Sequence, residues 1–141
     1  MTNEAREKPV LIIPCSGIGK VHGLLTREAA YLVVDDMAPE RTETMCLALL
    51  VKGDAEAVEA AKTQHCITID GCPMMCAEKN VRIAGGNPIV VEVIETLKKH
   101  HCAKPGSASE LNDEGWVIAR EIAAKVVAAA VKLGGGKEGV R

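Results

Sequence analysis

Aromatic rings are almost absent from this chain. Its 141 residues include no Phe, one Trp (Trp116) and one Tyr (Tyr31), so a core must be filled by Val, Ile, Leu and Ala. Side chains of that size favour thin layers, with strands covered by Ala-rich helices that approach closely. The same scarcity argues against nucleic-acid binding by base stacking. Seventeen basic residues against nineteen acidic ones give a net charge of −2, with no basic excess to attract a phosphate backbone. With 48% hydrophobic and 26% charged residues, the composition is neither disordered nor that of a membrane protein. No run approaches the ~20 apolar residues that span a bilayer, so no membrane partner is expected.

The start, residues 1–8, reads as a polar leader followed by an apolar run too short for a secretory signal, and a cytoplasmic location is expected. Pro9-Val-Leu-Ile-Ile13 is a continuous aliphatic run that reads as a buried strand. Helical periodicity follows from Gly19 to about Met37, with Val21, Leu24, Leu25, Ala29, Leu32 and Val33 largely on one face. Pro39 and residues 40–43 form a polar break. Thr44 to Val51 reads as a short helix stopped by Gly53, and Asp54 as the N-cap of another from Ala55 to about Gln64. Residues 65–69 are a second strand. Pro73 suits the first position of a helix running to about Ala84, with Gly85-Gly86 as its stop. Residues 88–94 read as a third strand, with 95–99 able to turn helical. Residues 103–110 form a polar linker, and Trp116 to Leu133 is the clearest helix. The last residues, 134–141, form a frayed tail. Strands alternating with helices imply crossover connections and a parallel sheet. The expected fold class is a small three-layer, Rossmann-like α/β domain over residues 9–133, its mainly parallel sheet having three or more strands.

Six cysteines in such a chain are the chemical anomaly. In a reducing compartment a cysteine set reads as metal or redox chemistry rather than as staples. Two turns that follow strands carry them: Pro14-Cys-Ser-Gly-Ile-Gly-Lys20 and Asp70-Gly-Cys-Pro-Met-Met-Cys76. Ligands of open parallel sheets gather outside the carboxyl ends of the strands, so Cys15 and the Cys72/Cys76 pair are expected on one sheet edge. With Pro73 opening a helix, Cys72 would sit near the N-cap and Cys76 one turn on, both sulfurs facing one way, where the helix terminus favours thiolates. Gly71 leaves room for close backbone approach, and Asp70 has loop amides within reach. The Ser16–Lys20 turn offers backbone N–H groups to an anion or to bound sulfur.

Other readings of the first turn fail. A P-loop needs Gly at its start and Ser or Thr after Lys20, where Val21 stands. A phosphatase loop would need an Arg. Gly17-Ile-Gly19 with Gly23 imitates a dinucleotide turn, but the acidic residue at the end of a second strand is missing. Cys46 follows a polar break, within reach as a fourth ligand or else buried as a small apolar residue. Cys66 lies inside the second strand and reads as a structural thiol. Cys102, after His100-His101, reads as part of a solvated segment, and His22 as a surface histidine near the Gly turn.

Taken in order, Pro14-Cys-Ser-Gly-Ile-Gly-Lys20, Arg27-Glu-Ala-Ala-Tyr31, Cys46-Leu47 and above all Ile69-Asp-Gly-Cys-Pro73 with Cys76 resemble the DGC family. These are small prokaryotic proteins, named for a central Asp-Gly-Cys motif, to which zinc binding has been ascribed. The resemblance covers roughly residues 9 to 100 and implies four chelating cysteines: Cys15, Cys46, Cys72 and Cys76. It brings no established reaction with it.

Four thiolates around zinc make a closed tetrahedral site with net charge −2, which Lys20, Lys79 and helix N-termini would offset. The expected function is a cytoplasmic Cys₄ zinc protein working as a metal-dependent carrier or interaction module, with a metal ion and a protein as its partners. Two alternatives stay open. The same cysteines suit an iron–sulfur cluster for electron transfer, and Cys15, Cys72 and Cys76 suit a thiol-based redox enzyme or sulfur or selenium carrier. No paired-carboxylate site, Ser/His/Asp set or full nucleotide fingerprint assigns a substrate.

Overall fold

The computed structural model describes residues 8–101 and 103–134. Cys102, nearly all of the expected leader and all of the expected tail except Gly134 lie outside them. The first aliphatic run forms β1 (Val10–Pro14), buried along its whole length. The helix after it is α1 (Val21–Tyr31), shorter than the periodicity suggested. The chain then loosens into a π-helical segment, Leu32–Met37, closed by a bond from the Ala38 N–H to the Val33 carbonyl.

The expected polar break hides a strand. β2 (Thr42–Thr44) is an edge strand of three residues, too short and too polar to show a hydrophobic pattern. Threonine suits a pleated backbone, and both threonines are tied down: Thr42 Oγ1 donates to the Ala38 carbonyl and Thr44 Oγ1 to that of Ile12. Next come α2 (Leu47–Lys52), with Cys46 as its N-cap rather than inside it, and α3 (Ala55–Thr63). The expected cap of α3 is present, Asp54 accepting the Ala57 N–H at 3.0 Å. β3 (Cys66–Asp70) is buried throughout, and α4 (Cys76–Ile83) follows it.

β4 (Ile89–Glu92) is shorter than its aliphatic run, because Val93 opens α5 (Val93–Lys99). A run of β-branched residues does not separate strand from helix. Here Val93 and Thr96 are buried at helical spacing, and Leu97 packs beside them on the core. The polar linker includes one antiparallel bridge, Gly106 to Leu111. The last helix, α6 (Asp113–Leu133), starts three residues before Trp116 because the Asn112 side chain caps the Gly115 N–H.

The sheet is wholly parallel, in the order β2-β1-β3-β4, and the fold is the expected Rossmann-like α/β layering. Alternation along the strands feeds two cores. Val10, Ile12, Ile67 and Ile69 face α1, α5 and α6, while Leu11, Ile13 and Cys66 face α2, α3 and α4. The first core is aliphatic: α6 contributes Ile118, Ala119, Ile122, Ala123, Val126 and Ala130, all fully buried. Trp116 packs only at its margin, and Tyr31 is exposed. Small residues on α1 and α6 let these two helices cover the sheet without rings.

Candidate metal centre

The carboxyl ends of three neighbouring strands lie on one edge of the sheet, and each is followed within two residues by a cysteine. Cys15 follows β1, Cys46 follows β2 and Cys72 follows β3. Cys76 is the first residue of α4. All four thiols are free; Cys15 is half-buried and the other three are exposed. The expected placement of Cys15 and the Cys72/Cys76 pair on one edge therefore holds for the backbone.

The turn after β1 is built around a buried hydroxyl. Cys15 continues the pairing of β1 with β3 through its N–H to the Ile69 carbonyl, 2.9 Å. The chain then reverses at Ser16, which has a φ of 56°, a left-handed conformation uncommon outside glycine. Thr26, on the buried face of α1, holds it there. Thr26 Oγ1 accepts the Ser16 N–H at 2.9 Å, donates to the Gly23 carbonyl at 2.7 Å and lies 3.8 Å from Cys15 Sγ. Thus the Ser16 N–H, expected to face a ligand, is already engaged. Gly23 is needed for this packing, since a Cβ there would stand 1.9 Å from the Gly17 carbonyl oxygen. Gly17 and Lys20 are exposed. Arg27 closes the turn, its Nη1 donating to the Ser16 carbonyl at 3.3 Å and Ser16 Oγ at 3.0 Å.

The second turn departs from expectation. Pro73 does not open the helix. It is the second residue of a turn closed by the Met75 N–H on the Cys72 carbonyl, 3.2 Å, a position that suits its fixed φ. Met75 sits at φ 55°, and the helix begins only at Cys76, so Cys72 and Cys76 are not one turn apart on a single helix. The residue that sets this start is Asp70. Its carboxylate accepts the N–H groups of Ala77 at 2.8 Å and Glu78 at 3.0 Å, capping α4 from the end of β3. Burial raises the Asp70 pKa above the usual carboxylate value; the two amide bonds and Lys79 pull it down and Glu78 pushes it up, without reversing the shift. Gly71 does permit close approach, because a Cβ there would meet the His22 carbonyl oxygen at 2.9 Å.

Cys15 and Cys46 share a cleft of about 550 Å³ lined also by Ser16, Arg27, Tyr31 and residues 44–48 and 51. Cys72 and Cys76 do not line it. Among the described residues, no group of three or more His, Cys, Asp or Glu side chains stands close enough to hold a metal ion. Four unbridged thiols match a thiophilic ion in donor chemistry, but they stand open along the edge rather than as a closed cage. Cys66 is set apart: its thiol donates to the Ala61 and Gln64 carbonyls, and burial pushes its pKa up to about 12. His100 is engaged elsewhere, 2.8 Å from a Glu121 carboxylate oxygen. Sequence reasoning missed Thr26 as the post of the first turn; its one signal was a polar residue at a helical position the periodicity assigns to the core.

No helix among the described residues is long and apolar enough to cross a membrane. No curated protein and no solved structure gives a significant match to the chain. The family model described as the DGC domain matches residues 11–116, from β1 to the first turn of α6 and including all four cysteines. With most of its length so matched, this chain belongs to the DGC family.

Proposed function

We propose that the protein binds one zinc ion through Cys15, Cys46, Cys72 and Cys76 and works in the cytoplasm as a metal-dependent carrier or interaction module. One observation carries this reading: three adjacent parallel strands each deliver a cysteine to the same edge within two residues of their ends, and a fourth begins α4. A bound ion would tie together elements that are distant in sequence, and four thiolates would neutralise it with charge to spare. Arg27 beside the Cys15 turn and Lys79 on α4 supply nearby positive charge.

The test is elemental analysis with absorption spectroscopy on protein purified without oxygen. The reading expects about one metal per chain, lost in Cys72→Ser and kept in Cys102→Ser. Absence of metal, or equal loss in both variants, refutes it. Brown protein with visible charge-transfer bands would replace zinc with an iron–sulfur cluster.

A second reading, a thiol-based redox protein or sulfur or selenium carrier, is favoured by the cleft that Cys15 and Cys46 share. Selective alkylation of Cys15 or Cys72 in metal-free protein supports it. Uniformly slow, metal-protected thiols exclude it.

A further inference from the structure

The cleft between the ends of β1 and β2 pairs an apolar wall with the Arg27 guanidinium, a combination that metal ligation by itself does not call for. Its volume, about 550 Å³, is that of a small-molecule site. Most of its wall is apolar: Met45, Leu47, Ala48 and Val51 on one side and Tyr31 on the other. Arg27 enters this wall half-buried. One of its nitrogens, Nη1, is pinned to Ser16. The described residues bring no carboxylate within 4.0 Å of the guanidinium. A partly desolvated guanidinium without an anion is costly, and its planar fork matches two carboxylate oxygens at once.

We infer that the cleft binds a small organic acid, its carboxylate on the free edge of Arg27 and its aliphatic body against Met45, Leu47 and Val51, beside the Cys15 and Cys46 thiols. The cleft borders the proposed metal ligands, since Cys15 and Cys46 line it, but its anchoring residue is a cation and Cys72 and Cys76 lie outside its wall. The ligand class follows from the pairing of one cation with an apolar wall. A phosphate ester would call for more donors than Arg27 and Ser16 provide.

Calorimetric titration of the full-length protein with hexanoate and with hexanamide, its uncharged counterpart, tests this. Metal content is measured in each sample. Hexanoate is expected to bind at least ~10-fold more tightly than hexanamide, a difference of about 1.4 kcal/mol. Arg27→Gln is expected to abolish that preference, while Arg27→Lys retains part of it as a point charge. Val51→Glu, at a position 64% exposed on α2, removes apolar wall from both ligands and sets a competing carboxylate at the rim, so it should weaken hexanoate more than hexanamide, which keeps the test decisive if Arg27→Gln misfolds. Equal affinity for acid and amide, or no saturable hexanoate binding, overturns the inference. So does an Arg27→Gln protein that loses metal yet keeps the preference for the acid, since Arg27 would then serve only the thiolates. Loss of metal in Cys72→Ser with hexanoate binding intact separates the two sites.

Discussion

Consider alkaline unfolding of the reduced protein beside that of Cys66→Ala. Cys66 is 3% exposed, and its thiol pKa rises from 9.0 to about 12 on burial. Between those values the unfolded chain has given up a proton that the folded chain keeps. Stability therefore falls as pH rises, by up to about 1.4 kcal/mol per pH unit. Near pH 10.5 the wild type should have lost roughly 2 kcal/mol through this one group, and near pH 12 roughly 4. Cys66→Ala lacks the group and escapes the loss; its missing sulfur costs about 1 kcal/mol at every pH. Every other ionisable group is common to both proteins and cancels in the difference. Urea denaturation in excess reductant, at about pH 8 and about pH 10.5, measures it. The wild-type advantage at the lower pH should disappear or reverse at the higher one. A wild-type-minus-variant difference constant within about 0.5 kcal/mol would refute the reasoning, showing that Cys66 ionises within the fold and belongs with the reactive thiols.

Four further substitutions probe the framework of the fold. Gly23→Ala drives a Cβ to 1.9 Å from the Gly17 carbonyl oxygen and should cost about 1–3 kcal/mol in chemical denaturation, with faster amide exchange at Ser16. Asp70→Ala removes a carboxylate that holds two α4 amides and should cost about 2–3 kcal/mol, whereas Asp54→Ala, losing an ordinary cap, should cost about 1; equal losses would contradict the special place given to Asp70. Thr68→Val replaces a buried hydroxyl that has no hydrogen-bond partner among the described residues and should stabilise by about 1 kcal/mol, while a loss would reveal a bound water there.

The layered fold was legible because its signals are local and redundant. β1 is an unbroken aliphatic run that ends at a turn, and β3, buried along its whole length, places Ile67 and Ile69 between β-branched and small neighbours before its own turn. What escaped is decided by partners outside the local window. β2 is a strand because β1 offers it a ladder, with Val10, Leu11 and Ile12 opposite Thr42, Glu43 and Thr44; its own three residues carry no pattern. β4 stops at Glu92 because Val93 is drawn into the core with α5, a tertiary choice that β-branched composition opposes. The start of α4 moved for a similar reason. Pro73 signals a helix start and a turn equally well, and Asp70, seven residues before Ala77, decides between them by taking the amides that a cap would take.

The candidate site divides along the same line. That cysteines meet at one edge follows from strand order and polarity, which sequence can supply: a cysteine placed just after a strand of a parallel sheet has only one edge to go to. How far apart the sulfurs stand does not follow, because that is set by turn geometry. Ser16 at φ 56° and Met75 at φ 55° are conformations that sequence assigns to glycine, and each adjoins a candidate ligand. Holding them costs of order 1–3 kcal/mol apiece, and the molecule offsets that cost with interactions invisible in one dimension: the Thr26 hydroxyl and the Arg27 guanidinium on one side, the Asp70 carboxylate on the other. Bonds within the chain thus define both turns. For Cys15 in particular, the half-buried thiol faces a cleft with its own cation and its own apolar wall. A structural zinc ligand would require neither, which is why the search for a reaction or a cargo belongs on the β1–β2 side of the edge.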